Sequence, residues 1–172
     1  MGIEALRAFL AGKPARQDER ARPDPVVVAA CALLLEIAHA DDVFRPEERE
    51  RIARHIRDEM GVADSDLRDV LRLAEEERRE SVDLFQFTRL LANHLSREQR
   101  LKLVEAIWGV VYSDGTLSEV ESHLARRIAE LLGFQHPEVQ AAKETVLVRE
   151  TAAAAPEDRS APFSGLPLPK KK

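Results

Sequence analysis

Four carboxylates at matched spacing are the side chains in this sequence best placed to do chemistry. Glu48 follows Asp41 by seven residues, and Glu121 follows Asp114 by seven. In each pair the aspartate falls where one helix should end, and the glutamate falls in the first turns of the next. A short loop between them brings two carboxylates to one turn. If two such pairs meet at one end of the molecule, they form an all-oxygen donor set suited to a hard cation, calcium or magnesium. Asp42 and the loop carbonyls are further candidate ligands. The spacing is not that of an EF-hand, which draws its ligands from one loop of about twelve residues.

A local reading stands beside the cation reading for each of these residues. Turn aspartates such as Asp41 and Asp114 bond loop amides. Glu121 lies three residues after Ser118, the spacing of a capping box. Glu47 and Glu48 are favoured at a helix N-terminus by the macrodipole. Duplication of the Asp/Glu pair is what lifts the cation reading above a single copy.

The other reactive side chains are less organised. His39 lies near the first loop, while His55, His94, His123 and His136 are scattered and form no His/Glu zinc-protease motif. Cys31 sits in the most apolar segment and should be an inert core thiol. Trp108 and Tyr112 fit a core, and Arg78-Arg79 fits the basic end of an exposed helix. No Gly-rich phosphate loop or nucleophile elbow is present. A metal-assisted hydrolase using the four carboxylates therefore lacks an evident nucleophile or base.

Helical periodicity supplies the elements that must hold these residues. Ile3, Leu6, Phe9 and Leu10 form one face of a short N-terminal helix, and the Pro- and Arg-rich residues 13–23 form a linker. Asp24-Pro25 opens a helix to about Ala40 that is apolar nearly all round and should be central. Pro46 starts the next, with Ile52, Ile56 and Met60 inward and Gly61 ending it. Asp64 should cap a third, which ends in a charged run, and a shorter helix spans Asp83 to His94. Ser96, with Gln99 in capping-box position, opens one that reaches about Tyr112. Helices from Glu119 to Leu132 and from Pro137 to about Leu147 complete the series. Residues 148–172 should be a disordered tail.

This order repeats. An apolar helix, an acidic loop, an amphipathic helix ending in Gly and a further helix occur twice. Asp41 matches Asp114 and Glu48 matches Glu121 at an offset of 73, while Ile52 with Leu124, Ile56 with Ile128 and Gly61 with Gly133 match at 72. One residue should therefore have been gained or lost near the helix start.

Composition sets outer limits. The 172 residues carry a formal charge of −5, one cysteine and 5% aromatics. That disfavours β-sandwiches and barrels, and it leaves no internal disulfide framework or Cys-based zinc cluster. Residues 23–147 hold 16 basic and 25 acidic side chains. An acidic body disfavours nucleic acid as main partner and suits cations or basic protein surfaces. The longest apolar run, Val26–Leu35, is too short to cross a membrane. Residues 1–12 lack a signal-peptide core, and Leu6 breaks the myristoylation pattern after Met1-Gly2. Cytoplasmic location is the expectation. The N-terminal helix and Lys170–Lys172 are the segments that could touch an anionic membrane face.

The motifs Ala40-Asp41 with Glu48 and Ser113-Asp114-Gly115 with Glu121 resemble the TerB-like family of bacterial tellurite-resistance proteins, which includes a domain of a DnaJ-type co-chaperone. The stretch from Asp83 through Trp108 to Gly133 is also similar, and the resemblance covers about residues 24–147. Asp42 stands where the first copy of the family pattern has Gly, and Asp tolerates a left-handed backbone better than most residues. The resemblance implies an all-α fold of about seven helices in two similar halves. It further implies a non-enzymatic role in stress response, with a divalent cation and a membrane-associated protein partner. Tellurite is an oxyanion, so a carboxylate cluster would repel it unless a bound cation reversed the local charge. The expected site is Asp41, Glu48, Asp114 and Glu121, serving as a cation site or as a docking patch for a basic partner. The alternative is a ligand-free interaction scaffold in which these residues are helix caps.

Overall fold

A computed structural model describes residues 22–154 apart from Val82 and Thr116. The expected N-terminal helix and linker, and the tail beyond 154, lie outside the described residues, except for residues 22 and 23. Seven helices follow in order: α1 Pro25–Ala38, α2 Pro46–Asp58, α3 Asp64–Glu80, α4 Phe85–His94, α5 Arg97–Val111, α6 Glu119–Leu131 and α7 His136–Ala154. No strand occurs among the described residues, so the all-α expectation holds.

Local chemistry accounts for most helix starts. The Asp24 carboxylate accepts from Val26 N at 2.8 Å, and Pro25 fills the first position of α1. Ser96 and Gln99 exchange side-chain-to-backbone bonds at 2.9 and 3.2 Å, completing the box that opens α5. Three details differ from expectation. Ala63, not Asp64, is the N-cap of α3. Helix α4 begins at Phe85, whose N–H is held by the Asp83 carboxylate at 2.9 Å. Helix α7 runs past Leu147 to Ala154, because Arg149, Glu150 and the alanines from 152 are good helix formers and no Gly or Pro interrupts them.

The helices form two halves, α1–α3 and α5–α7, with α4 as an unmatched connector. The packing is reciprocal: α1 meets α5, α1 also meets α6, and α2 meets α5. Each half's first helix therefore packs on the other half's second, as a pseudo-two-fold axis requires. Helix α1 is the hub, with all its residues from Val27 to Ala38 buried except Glu36.

The register of the repeat is more regular than the sequence suggests. Helices α2 and α6 have matching bounds at an offset of 73. Their buried faces keep that offset, pairing Ile52 with Ala125 and Ile56 with Ala129, all fully buried. The one-residue slip lies after these helices, just before Gly61 and Gly133, and not at the helix start. Leu124 and Ile128 mimic Ile52 and Ile56 in type, and Ile128 is itself fully buried, but Leu124 is only half-buried and the helix bounds make Ala125 and Ala129 the equivalents. Each buried isoleucine contributes roughly 1.5–3 kcal/mol of transfer free energy. From that slip onward α3 and α7 match at 72, with Val70 and Ala142, and Ala74 and Val146, buried alike.

Candidate functional site

The turns that open the two acidic loops share three backbone bonds. In the first, His39 N bonds Leu35 O at 3.0 Å, Ala40 N bonds Ile37 O at 3.0 Å and Asp42 N bonds His39 O at 3.2 Å. In the second, Tyr112 N bonds Trp108 O at 3.0 Å, Ser113 N bonds Val110 O at 3.0 Å and Gly115 N bonds Tyr112 O at 3.1 Å. Both turns end in a left-handed residue, Asp42 at φ 61° and Gly115 at φ 75°. Asp42 thus does in the first loop what glycine does in the second, as its side-chain type allows.

With the halves related by the axis, the loops lie at the same end and the four expected carboxylates come together. Arg45, absent from the sequence-based site, joins them. Its Nε lies 3.0 Å from Asp114 Oδ2, and one guanidinium nitrogen lies 3.1 Å from Asp41 Oδ2 and 3.8 Å from Glu48 Oε1. The clamp therefore ties loop one to loop two. A sequence signal for it existed: Arg45 is four residues after Asp41 and three before Glu48. Its counterpart in the other half is Ser118, so only one half supplies the charge.

Among the described residues, backbone donors hold Asp41 and Glu48. Asp41 Oδ1 accepts from Val43 N at 3.0 Å, and Glu48 Oε2 accepts from Arg45 N at 2.7 Å. Glu121 is different. Ser118 Oγ accepts from the Glu121 N–H at 3.4 Å, but Glu121 does not return the bond as a capping box would. Glu48 and Glu121 are each only 2% exposed, and Glu121 Oε1 is buried with no hydrogen-bond partner among the described residues.

Electrostatics follow from that crowding. Burial pushes the Glu48 carboxyl above its ordinary range, opposed by the Arg45 N–H and guanidinium and assisted by Asp41. Glu121 is pushed up to about 7, first by burial, then by the charges of Asp41 and Glu48 and by a hydrogen bond with Glu48. A hydrogen bond between two carboxyls requires a proton, and Glu121 is the group that keeps it near neutral pH. The cluster thus has more acid than its one guanidinium neutralises.

A hard cation fits this donor chemistry, because every side-chain ligand on offer is oxygen and Glu121 Oε1 has no partner. Among the described residues no three His, Cys, Asp or Glu side chains are already arranged to hold a metal ion. Arg45 bridges three of the four carboxylates.

The remaining candidates are structural. Cys31 is fully buried and its thiol is pushed up to about 12, by burial first and Glu75 second. Trp108 is core. Arg78 is not an exposed helix end: it is half-buried and pairs with Glu75 at 2.9 Å and Glu36 at 3.4 Å, tying α3 to α1. His39 bonds Leu35 O at 2.8 Å through Nδ1 and packs on Phe44, outside the carboxylate cluster.

The family model for the tellurite resistance protein TerB matches residues 27–144, well over half of the chain. The chain belongs to the TerB family. The TerB match takes in both acidic loops, Arg45 and five of the seven helices in full, with the first two residues of α1 and the end of α7 beyond it. No curated protein and no solved structure matches the chain. No described helix is long and apolar enough to cross a membrane.

Proposed function

We propose that this TerB-family domain is a non-enzymatic binding module of stress resistance whose paired acidic loops take up a divalent cation, calcium or magnesium. Asp41, Glu48, Asp114 and Glu121 would hold the ion. It would supply charge neutralisation and a link between the two halves, the task Arg45 now performs. The observation that carries this reading is the buried, unpartnered Oε1 of Glu121 beside Glu48. A buried carboxylate oxygen without a donor is costly, and a cation removes the cost. Direct capture of tellurite at the same place is disfavoured by charge.

Calorimetric titration of the full chain with calcium and with magnesium tests the reading. Binding should release heat and raise the melting temperature in step with concentration, by about 2.7 kcal/mol of stability at a hundredfold excess over Kd. No heat and no rise at millimolar cation would remove it.

A second reading has its own support. Asp41 and Glu48 already bond the amides of Val43 and Arg45, as caps do. In that reading the cluster is scaffold, and the exposed Val43, Phe44, Leu117 and Val120 beside it form a docking patch for a basic and apolar protein surface, at a membrane assembly or elsewhere. Asp114→Asn and Glu121→Gln separate the two. A stability change that is the same with and without cation supports caps, and loss of the stabilisation that added cation gives the parent supports a site.

A further inference from the structure

A second surface carries the opposite charge and shares His39 and Phe44 with the first acidic loop. Between α1, α2 and α3 lies an open groove of about 520 Å³. Leu35, Phe44, Leu67 and Leu71 give it an apolar floor, and Arg49, Arg68, Arg72 and Arg79 rim it, with Asp64 and Glu75 the acidic side chains among the described residues that line it. Arg72 and Arg79 are partly occupied by Glu76 and Glu75 of their own helix, both at 2.9 Å. Arg49 and Arg68 are exposed and take no ion-pair partner among the described residues.

The internal repeat provides a control. Were the groove a by-product of the fold, the second half would repeat it. At the equivalent positions stand Ser122 for Arg49, Gln140 for Arg68, Glu144 for Arg72 and Thr151 for Arg79. None is cationic. Leu35 corresponds to Trp108, which is fully buried, and Leu71 to Lys143, whose ammonium lies 5.2 Å over the Trp108 ring. In the second half a lysine over a buried indole stands where Leu71 and Leu35 stand in the first. The four arginines are therefore particular to one half, on a body that is otherwise acidic.

The shape favours a segment over a point-like anion. Arg68 and Arg79 are eleven residues apart on α3, about 16 Å along the helix axis. A single carboxylate or phosphate would engage one arginine or two. A strand or helix with carboxylates spaced along one edge and apolar side chains beneath would engage the whole rim and floor.

We infer that the α1–α2–α3 groove is a docking site for an acidic amphipathic segment of a partner protein. The probe is a fluorescein-labelled peptide about three helical turns long, with leucines on one face and glutamates on the other. Fluorescence anisotropy with the full chain at low salt should give saturable binding that weakens as salt rises. The double substitution Arg49→Glu and Arg68→Glu should weaken it at least about tenfold. A companion peptide with lysine in place of glutamate should bind the variant and not the parent. Both arginines are exposed, and Arg68→Glu alone serves as a milder variant if the double one melts early.

Three results would overturn the inference. One is equal affinity for parent and variant, or for the peptide with its leucines and glutamates scrambled. Another is arginine-dependent binding to phosphatidylglycerol/phosphatidylcholine vesicles with none to the peptide, which would make the groove a membrane contact. The last is a concentration-dependent dimer in sedimentation that the same substitutions abolish, which would make the occupant a second copy of this chain. None of these readouts depends on cation binding at the acidic loops.

Discussion

Replacing Glu121 with glutamine should stabilise the protein at pH 8 and not at pH 4.5. In the folded chain Glu121 titrates at about 7, against an ordinary value of 4.5, so between those values the folded state holds a proton that the unfolded state has released. Stability attributable to this group is greatest below 4.5, falls as pH rises through 7 and is flat above. At about 1.4 kcal/mol per tenfold change in binding, the full penalty is of the order of 3 kcal/mol. Glutamine has nearly the same shape, carries no charge and can donate to Glu48. Urea unfolding of the full chain and of Glu121→Gln, both in chelator, should diverge from near equality at pH 4.5 to about 2–3 kcal/mol in favour of the variant at pH 8. In melting temperature that is roughly 5–10 °C for a chain of this size. A difference that is the same at both pH values would refute the reasoning, as would a variant less stable than the parent at pH 8.

Asp42→Gly should stabilise by roughly 1 kcal/mol in chemical denaturation, because φ at that residue is 61° and only glycine adopts it without steric cost; a loss would show that the Asp42 side chain matters more than its backbone. Gly133→Ala should cost more than Gly61→Ala. Both have positive φ, but a Cβ at 133 would meet Arg100 at 3.2 Å while none crowds position 61, so about 1–2 kcal/mol against about 1 is expected from matched urea curves. Arg45→Ala should lower the melting temperature and move the Glu121 titration higher, which carboxyl-resolved NMR can follow, since the guanidinium is the charge that opposes protonation there. Cys31 should resist alkylation under native conditions and react on unfolding, and rapid native labelling would contradict its full burial.

Much of the architecture was legible because local and global signals agree. Asp24, Ser96 and Ser118 cap the helices their types suggest, and Gly61 and Gly133 end helices with positive φ. The four carboxylates could be picked out because duplication left the same Asp/Glu spacing twice. Arg45 was not picked out, because a search for matched acids passes over a base that one half has and the other lacks. Type alone does not give the register of α6: Leu124 resembles Ile52 but is only half-buried, while Ala125 and Ala129, at the offset the helix bounds keep, are fully buried together with Ile128. The groove was invisible for a related reason, since its arginines are spread over α2 and α3 and only folding lines them up.

Arg45 gives the acidic loops a built-in competitor. Because it is covalently attached a few residues from Asp41, its local concentration at the cluster is fixed and dilution cannot remove it. Its charge is also permanent at any physiological pH. An incoming ion therefore meets a threshold. Sodium or potassium offers no more charge than the tethered group and has no basis for displacing it. Only an ion of higher charge gains by the exchange, so the arginine itself would act as a filter on valence.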